Sequence, residues 1–289
     1  MNQFNLFLEL IRFKKPIGYM LLFWPCAWGL SLGNDFSENL SLYLFYLILF
    51  FFGSILMRSA GCIINDIADK EFDKKVYRTK NRPIASGKIT INLGLIYALV
   101  LCIIALLVLI NFNKLTIVLA LCSMPLAFTY PFMKRFTYWP QLFLGITFNY
   151  GLILGWTAIN NQVELTPLLL YFGAIFWTLG YDTVYGFQDI KDDEIIGVKS
   201  TSIKFKNNAK KFLLFCYSIF FFCYLLVGLL MEFQTAFYII SFSIFIHLFY
   251  FQLYKFNCND GMNCLKIFKS NNFLGFIVLS NIIISKLIF

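Results

Sequence analysis

Long apolar runs alternate with short polar segments along the whole chain. Nine runs approach the length a membrane-crossing helix needs, about 20 mostly apolar residues. They cover 16–33, 42–64, 91–111, 115–132, 139–159, 166–186, 212–231, 234–254 and 272–288. This pattern predicts an all-α polytopic membrane protein. Its nine transmembrane helices would form one bundle with a central cavity opening at the cytoplasmic side. Residues 1–289 read as a single integral-membrane domain, without linker or low-complexity tract. A weak internal echo (span, acid cluster, basic loop, span) recurs around 43–111 and 166–231. It predicts two similar four-helix halves with a ninth helix added.

Composition sharpens this picture. The chain is 60% hydrophobic and 13% charged, which a soluble domain could not bury. The 36 phenylalanines suit lipid-facing helices. The net charge of +9 does not argue for nucleic acid, because the basic residues lie in short loops between apolar runs. With the N-terminus cytoplasmic, segments 1–15, 65–90, 133–138, 187–211 and 255–271, with Arg58 near the inner end of the second run, hold 22 of the 24 Lys and Arg residues. The outer segments carry Asp35, Glu38 and Glu164 and almost no positive charge. That asymmetry sets the orientation, and the expected location is the cell inner membrane. Arg12, Lys14 and Lys15 precede the first run, but no small-residue cleavage site follows it, so it reads as a span.

Six of the eight cysteines lie in apolar runs, and Cys258 and Cys264 share a short polar loop without metal-ligand spacing; all eight read as reduced packing residues. His247, the only histidine, sits inside an apolar run and reads as a buried or lipid-edge residue. Gln141, Thr147, Asn149, Tyr150, Thr129 and Tyr130 put polar groups into the middle runs, where they face a cavity or bond between helices.

The chemistry concentrates at two places. Asp66, Asp69 and Asp73 follow the second run at i, i+3 and i+7, so a helix would put all three carboxylates on one face. Such a cluster at the end of a membrane helix is costly without positive charge among it. Hard cations such as Mg²⁺ take oxygen ligands and bridge carboxylates to phosphate. Lys74, Lys75, Arg78, Lys80 and Arg82 follow. The arrangement then repeats: Asp189, Asp192 and Asp193 follow another run, with Tyr185 and Asp182 one and two turns before Asp189, and Lys191, Lys199, Lys204 and Lys206 follow. Two Mg²⁺-ready clusters with basic neighbours match a diphosphate held between them. The membrane offers an apolar space for a long chain attached to it, so the economical donor is a polyprenyl diphosphate. Aromatic faces would stabilise the allylic cation, and exclusion of water would protect it. An electron-rich acceptor would then attack that cation, and Asp182 is the one acid inside the sixth run.

Longer motifs agree with that reading. Arg12-Phe13-Lys14-Lys15-Pro16-Ile17-Gly18, Met57 to Cys62 leading into Asn65-Asp66, and Arg78-Thr79-Lys80-Asn81-Arg82-Pro83 with Ser86-Gly87 resemble the UbiA superfamily of intramembrane prenyltransferases. Tyr130-Pro131-Phe132-Met133-Lys134-Arg135 and Tyr181-Asp182-Thr183-Val184-Tyr185, running to Gly197-Val198-Lys199-Ser200-Thr201, are similar to its branch acting on 4-hydroxybenzoate. The resemblance spans nearly the whole chain. It implies a nine-helix bundle, Mg²⁺ dependence and prenylation of 4-hydroxybenzoate ortho to its hydroxyl, a step toward ubiquinone. It implies metal ligation by Asp66, Asp69, Asp73, Asp189, Asp192 and Asp193, and substrate contacts by Asn65, Arg78, Arg82, Tyr130, Lys134, Tyr185 and Lys199. With 4-hydroxybenzoate as the implied acceptor, Arg135 or Lys134 is the candidate for holding its carboxylate, and Asp182 for drawing on its hydroxyl and taking the proton released by the ring. Some relatives carry a further acid where this chain has Ile196, which leaves open whether Asp192 or Asp193 is the ligand. Two alternatives remain at this stage: another acceptor, such as a naphthoate or haem, and an ion-coupled transporter. A transporter would place its acids near the midplane on broken helices, whereas these sit at helix ends beside basic loops.

Overall fold

The computed structural model describes residues 2–288 and is helical almost throughout, with no strand among the described residues. A short helix, α1 (Gln3–Leu10), precedes α2 (Ile17–Gly33), α3 (Leu40–Ala68), α4 (Lys70–Asp73), α5 (Ile91–Leu109) and α6 (Lys114–Thr129). Next come α7 (Met133–Phe136), α8 (Pro140–Asn149), α9 (Gly151–Asn160), α10 (Leu165–Gly186), α11 (Ile190–Ile196) and α12 (Thr201–Lys204). The chain closes with α13 (Ala209–Leu230), α14 (Thr235–Phe245) and α15 (Gly261–Ile288). Seven helical segments are long and apolar enough to cross a membrane by length and composition. Of the nine expected spans, two fall outside that set. The first, α2, has only 17 residues; the sixth, α10, carries Tyr181, Asp182 and Thr183 near its end.

Three segments differ from the sequence reading. Residues 1–15, expected as loop, contain α1, which buries Leu6 and Leu10 against Ala60, Ile63 and Leu101 of α3 and α5. Segment 255–271, also expected as loop, is largely helical: Asp260 accepts from the backbone N–H of Met262 and Asn263 (2.9 and 3.1 Å), and the last helix begins there. Cys264, Ile267 and Asn271 form its buried face, while Lys266 and Lys269 stay exposed, and those lysines hid the apolar stripe. The eighth span changes to π-helical winding over Ile246–Tyr254.

The bundle centres on α2, which packs against α9, α3 and α15. Its approach to α9 is close enough to require glycine. A Cβ on Gly29 would strike the Leu152 backbone, and one on Gly155 would lie 2.6 Å from Leu30 N. Trp24 and Trp28 donate to Asn272 Oδ1 and to the Gly275 carbonyl, both at 3.0 Å, fixing α2 to α15.

A second interior tie is polar. Asn271 Oδ1 accepts from Trp177 Nε1 (2.7 Å) and Gln252 Nε2 (2.9 Å), and Gln252 Oε1 accepts from the Tyr217 hydroxyl (2.9 Å). His247 joins through Gln252 at 3.2 Å, so it is a buried network member. Asn149 likewise donates to the Ala174 carbonyl and to Thr178 Oγ1, bonding α8 to α10. Buried polar groups cost little when satisfied and much when orphaned. Asn271→Leu should therefore destabilise the protein by about 1–3 kcal/mol, by stranding Trp177 and Gln252. A thermal melt of the detergent-solubilised variant would show this as a midpoint several degrees below wild type.

Candidate active site

The first acid cluster keeps its common face although the helix breaks there. α3 ends at Ala68 and Asp69 leaves helical geometry (φ −95°, ψ 2°). Backbone bonds nevertheless continue, Asp69 N to Asn65 O at 2.9 Å and Asp73 N to Asp69 O at 2.8 Å. Asp66, Asp69 and Asp73 are only 2%, 3% and 6% exposed. Each meets a cation. Arg12 Nη2 lies 2.5 Å from Asp66 Oδ1. Arg82 Nη1 bridges Asp66 Oδ1 at 3.2 Å and Asp73 Oδ2 at 2.7 Å. Lys134 Nζ lies 2.6 Å from Asp69 Oδ2, which also accepts from Asn65 Nδ2 at 3.1 Å. Burial pushes the Asp69 carboxyl upward, against the pull of Lys134.

The second cluster lies beyond the end of α10. Asp189 sits at the N-cap of α11, and that helix ends at Gly197 with φ 79°. Arg78 grips Asp189 with Nε and Nη2, places Nη1 3.2 Å from the Tyr185 hydroxyl, and stacks over the Tyr185 ring at 5.6 Å. Asp192 and Asp193 make no ion pair among the described residues. Burial, reinforced by the Asp189 charge, pushes Asp193 up to about 6. The Arg78–Asp189 grip joins the segment after α4 to the one after α10, so the two clusters share one face of the bundle.

The other expected residues divide. The Lys199 backbone donates to the Lys134 carbonyl at 2.9 Å and its Nζ reaches the Phe136 carbonyl at 3.3 Å, tying α7 to the second loop. Arg135 is exposed, donates to the Ala68 carbonyl at 2.5 Å and covers Phe72 and Phe132. Tyr130 faces a cavity of about 220 Å³ that it lines together with Arg58. Asp182 stands nearby, with Arg58 as the cation acting on it.

Two arginines escaped the sequence reading as site residues. Arg12 adopts a left-handed backbone (φ 56°), a strained conformation for a non-glycine, and it reaches Cys62 Sγ at 3.4 Å as well as Asp66. Arg58 stacks on Phe148 at 5.4 Å and lies against Gly18, where a Cβ would come within 2.7 Å of its Nε. Among the described residues it has no carboxylate partner. A lone charge inside an apolar run was the available signal.

A hard cation takes oxygen ligands, and the acid clusters offer only oxygens. Among the described residues no three acidic, His or Cys side chains are gathered tightly enough to enclose an ion, since the protein's own bases hold the carboxylates. Two features suit a cation all the same. Among the described residues, Asp69 Oδ1 is buried without a hydrogen-bond partner, and Asp192 and Asp193 make no ion pair.

The model of the UbiA prenyltransferase family matches residues 22–277. The chain belongs to the UbiA prenyltransferase family. Among curated relatives, the mitochondrial 4-hydroxybenzoate polyprenyltransferase of Caenorhabditis elegans is 40% identical over 98% of this chain and 79% of its own length. The human protein of the same name is 41% identical over 97% and 75%. Among solved structures, an apo UbiA homolog from Aeropyrum pernix K1 superposes with a TM-score of 0.76 at 21% identity, covering 93% of this chain and 98% of that one. A UbiA homolog from Archaeoglobus fulgidus bound to GPP and Mg²⁺ gives 0.68 at 17% identity, covering 95% and 99%. At these identities the structures speak for the fold, and the fold is the UbiA fold.

Arg82 is the shared counter-charge of two buried carboxylates. Removing one partner of a buried pair costs about 3–5 kcal/mol, so Arg82→Gln should lower the melting midpoint clearly. Added Mg²⁺ should recover part of that loss if the cluster accepts a cation, and Ca²⁺-free, Mg²⁺-free melts of the same variant provide the comparison.

Proposed function

We propose that the protein transfers a polyprenyl group from polyprenyl diphosphate to the ring carbon ortho to the hydroxyl of 4-hydroxybenzoate. The products are 3-polyprenyl-4-hydroxybenzoate and diphosphate, on the way to ubiquinone. One arrangement carries this reading: two acid clusters set among bases, beside an apolar cavity that contains a single unpaired arginine. The names of relatives about 40% identical support the acceptor.

Mg²⁺ is the proposed metal, held by Asp66, Asp69 and Asp73 on one side and by Asp189 with Asp192 or Asp193 on the other; when bound it neutralises charge on the leaving diphosphate. The chain's own groups do the rest. Asn65, Arg78, Arg82, Lys134 and Lys199 are hydrogen-bond donors for phosphate oxygens, and those now gripping carboxylates turn to the incoming anion. Tyr130 and Tyr185 offer ring faces to the developing allylic cation. The membrane-embedded cavity excludes the water that would quench it. Arg58 is better placed than Lys134 or Arg135 to hold the benzoate carboxylate, because it lines the cavity itself, whereas Lys134 is already assigned to the diphosphate and Arg135 is exposed. Asp182, one turn before Tyr185 on α10, draws on the acceptor hydroxyl and receives the proton lost when aromaticity returns. The bilayer is an inner membrane, with the N-terminus, both acid clusters and the cavity mouth on the cytoplasmic side, or on the matrix side in an organelle.

Membranes containing the protein, labelled 4-hydroxybenzoate and a prenyl diphosphate test this directly. Ring-prenylated product that depends on Mg²⁺ is expected; a protein that prenylates naphthoate or haem but not 4-hydroxybenzoate would overturn the acceptor. Asp66→Asn should cut kcat/KM by about a thousandfold, the equivalent of several kcal/mol at about 1.4 kcal/mol per factor of ten. Asp182→Asn should retain donor binding but lose about a hundredfold or more in turnover, as expected for a proton-transfer group. Single cysteines at Ser86 and Asn207 should react with an impermeant thiol reagent only from the cytoplasmic or matrix side.

A further inference from the structure

Two helices that flank α10 leave a groove between them. α8 and α13 each pack along α10 but hardly on each other. The chain enters α13 through α12 and a tight turn at Lys206–Asn208, and Trp139 is the residue before α8. Between these points lies an open hollow of about 470 Å³, lined by Trp139, Phe205, Asn208, Lys211, Phe212 and Phe215. It shares no lining residue with the cavity around Arg58.

The floor of the hollow is aromatic. The rings of Phe205 and Phe212 stack with centroids 3.9 Å apart, and Trp139 stands edge-on to both at 5.6 and 6.2 Å. Phe212 is buried, whereas Phe215, nearly one turn on, is exposed and meets Phe176 of α10 edge-on at 5.9 Å. An apolar track therefore leaves the hollow along the groove. The polar groups are basic or neutral. Lys204 Nζ lies 4.4 Å from the centre of the Trp139 ring. Lys204 and Lys211 are exposed, and neither makes an ion pair among the described residues. Asn208 makes no side-chain cap bond to α13. The preceding acid in the chain, Glu194, is already held by Lys206 at 2.7 Å.

We propose that this groove binds one anionic phospholipid, with its phosphate on Lys204, Lys211 and Asn208 and an acyl chain along Phe212, Phe215 and Phe176. A neutral lipid would leave the two lysines without a partner, and a free phosphate would leave the aromatic floor bare. An amphiphile with an anionic head uses both. The position agrees, because Trp139 and the lysines stand where polar segments enter apolar runs, the level at which aromatic and basic side chains meet headgroups. The volume lies within the range of about 300–1,000 Å³ found for pockets that hold one small organic molecule. That space takes the head and the first carbons of a chain, and the rest follows the groove. An ammonium resting on a ring face keeps N–H donors free for phosphate. This binding does not depend on the proposed transfer reaction.

The tryptophans supply the test. Trp24, Trp28, Trp156 and Trp177 are buried, and Trp139 is partly exposed. The full-length protein is placed in phosphatidylcholine vesicles containing increasing fractions of phosphatidylglycerol or phosphatidylcholine brominated on an acyl chain. Bromine quenches a nearby indole, and the quenching lost in Trp139→Phe is the signal from the groove. In the wild type, brominated phosphatidylglycerol should reach half-maximal quenching at a mole fraction about tenfold or more below brominated phosphatidylcholine, since each basic residue at a membrane surface contributes about fivefold toward anionic lipid. Lys204→Gln combined with Lys211→Gln changes exposed side chains and should bring the two lipids within about twofold. Salt at about 1 M, which shortens the screening length to about 3 Å, should weaken the wild-type preference likewise. Equal quenching by both lipids in the wild type overturns the proposal, as does a preference that survives in the double variant. Inorganic phosphate should weaken the preference no more than sodium chloride at equal ionic strength; a specific loss would assign the groove to free phosphate and overturn the lipid.

Discussion

Burying three carboxylates at the end of one membrane helix is the constraint on which the polar layer at that end of the bundle depends. An unpaired ion in such a place costs several kcal/mol. The protein meets it with three cations drawn from three distant segments: Arg12 from the turn after α1, Arg82 from the segment after α4, and Lys134 from α7. Each of these segments would otherwise be a loose connection. Charge compensation fastens all three over the end of α3, and Arg78 extends the fastening to Asp189 beyond α10. The strained backbone of Arg12 follows from this geometry, because its guanidinium must turn inward at the point where α1 ends.

The same pairing makes the layer responsive. Arg82 divides its bonds between two carboxylates, and Arg78 between a carboxylate and a phenol. In the proposed reaction, a polyanion arriving with a divalent cation would satisfy both sets of charges at once, the metal at the carboxylates and the phosphate at the bases. Little net charge would then have to be moved out of water, and the groups that hold the resting layer together would be the groups that hold the ligand. A protein with only acids here would repel a diphosphate, and one with only bases would leave the metal without ligands.

The bundle was largely legible in the sequence, because lipid demands long apolar runs and charge asymmetry orders them. The approximate positions of all nine runs reappear as helices or pairs of helices. What stayed hidden depends on partners far away in the chain. α1 is amphipathic only with respect to α3 and α5, which begin some 30 and 80 residues later. The start of α15 was masked by Lys266 and Lys269 on its wet face. Acid spacing pointed to both clusters, although not to the helix breaks at Asp69 and Asp189. Arg12 read as a flanking topology charge, since nothing local reveals that it reaches a carboxylate 54 residues away.

The polar interior is distributed unevenly, and the unevenness divides labour. On one side, Trp177, Tyr217, Gln252 and Asn271 bond α10 to α13, to the π-helical stretch and to α15, and Asn149 bonds α10 to α8. Such networks define one arrangement of helices, because a shifted register would orphan several buried groups together. α10 carries Asp182 and Tyr185 and leads into Asp189, the groups whose placement would matter most to the proposed chemistry. On the other side, α5 meets α6 hardly at all and the lining is aliphatic and aromatic, where contacts are non-directional and small shifts cost little. The bonded side thus holds α10 in one register, and the α5–α6 side is free to yield.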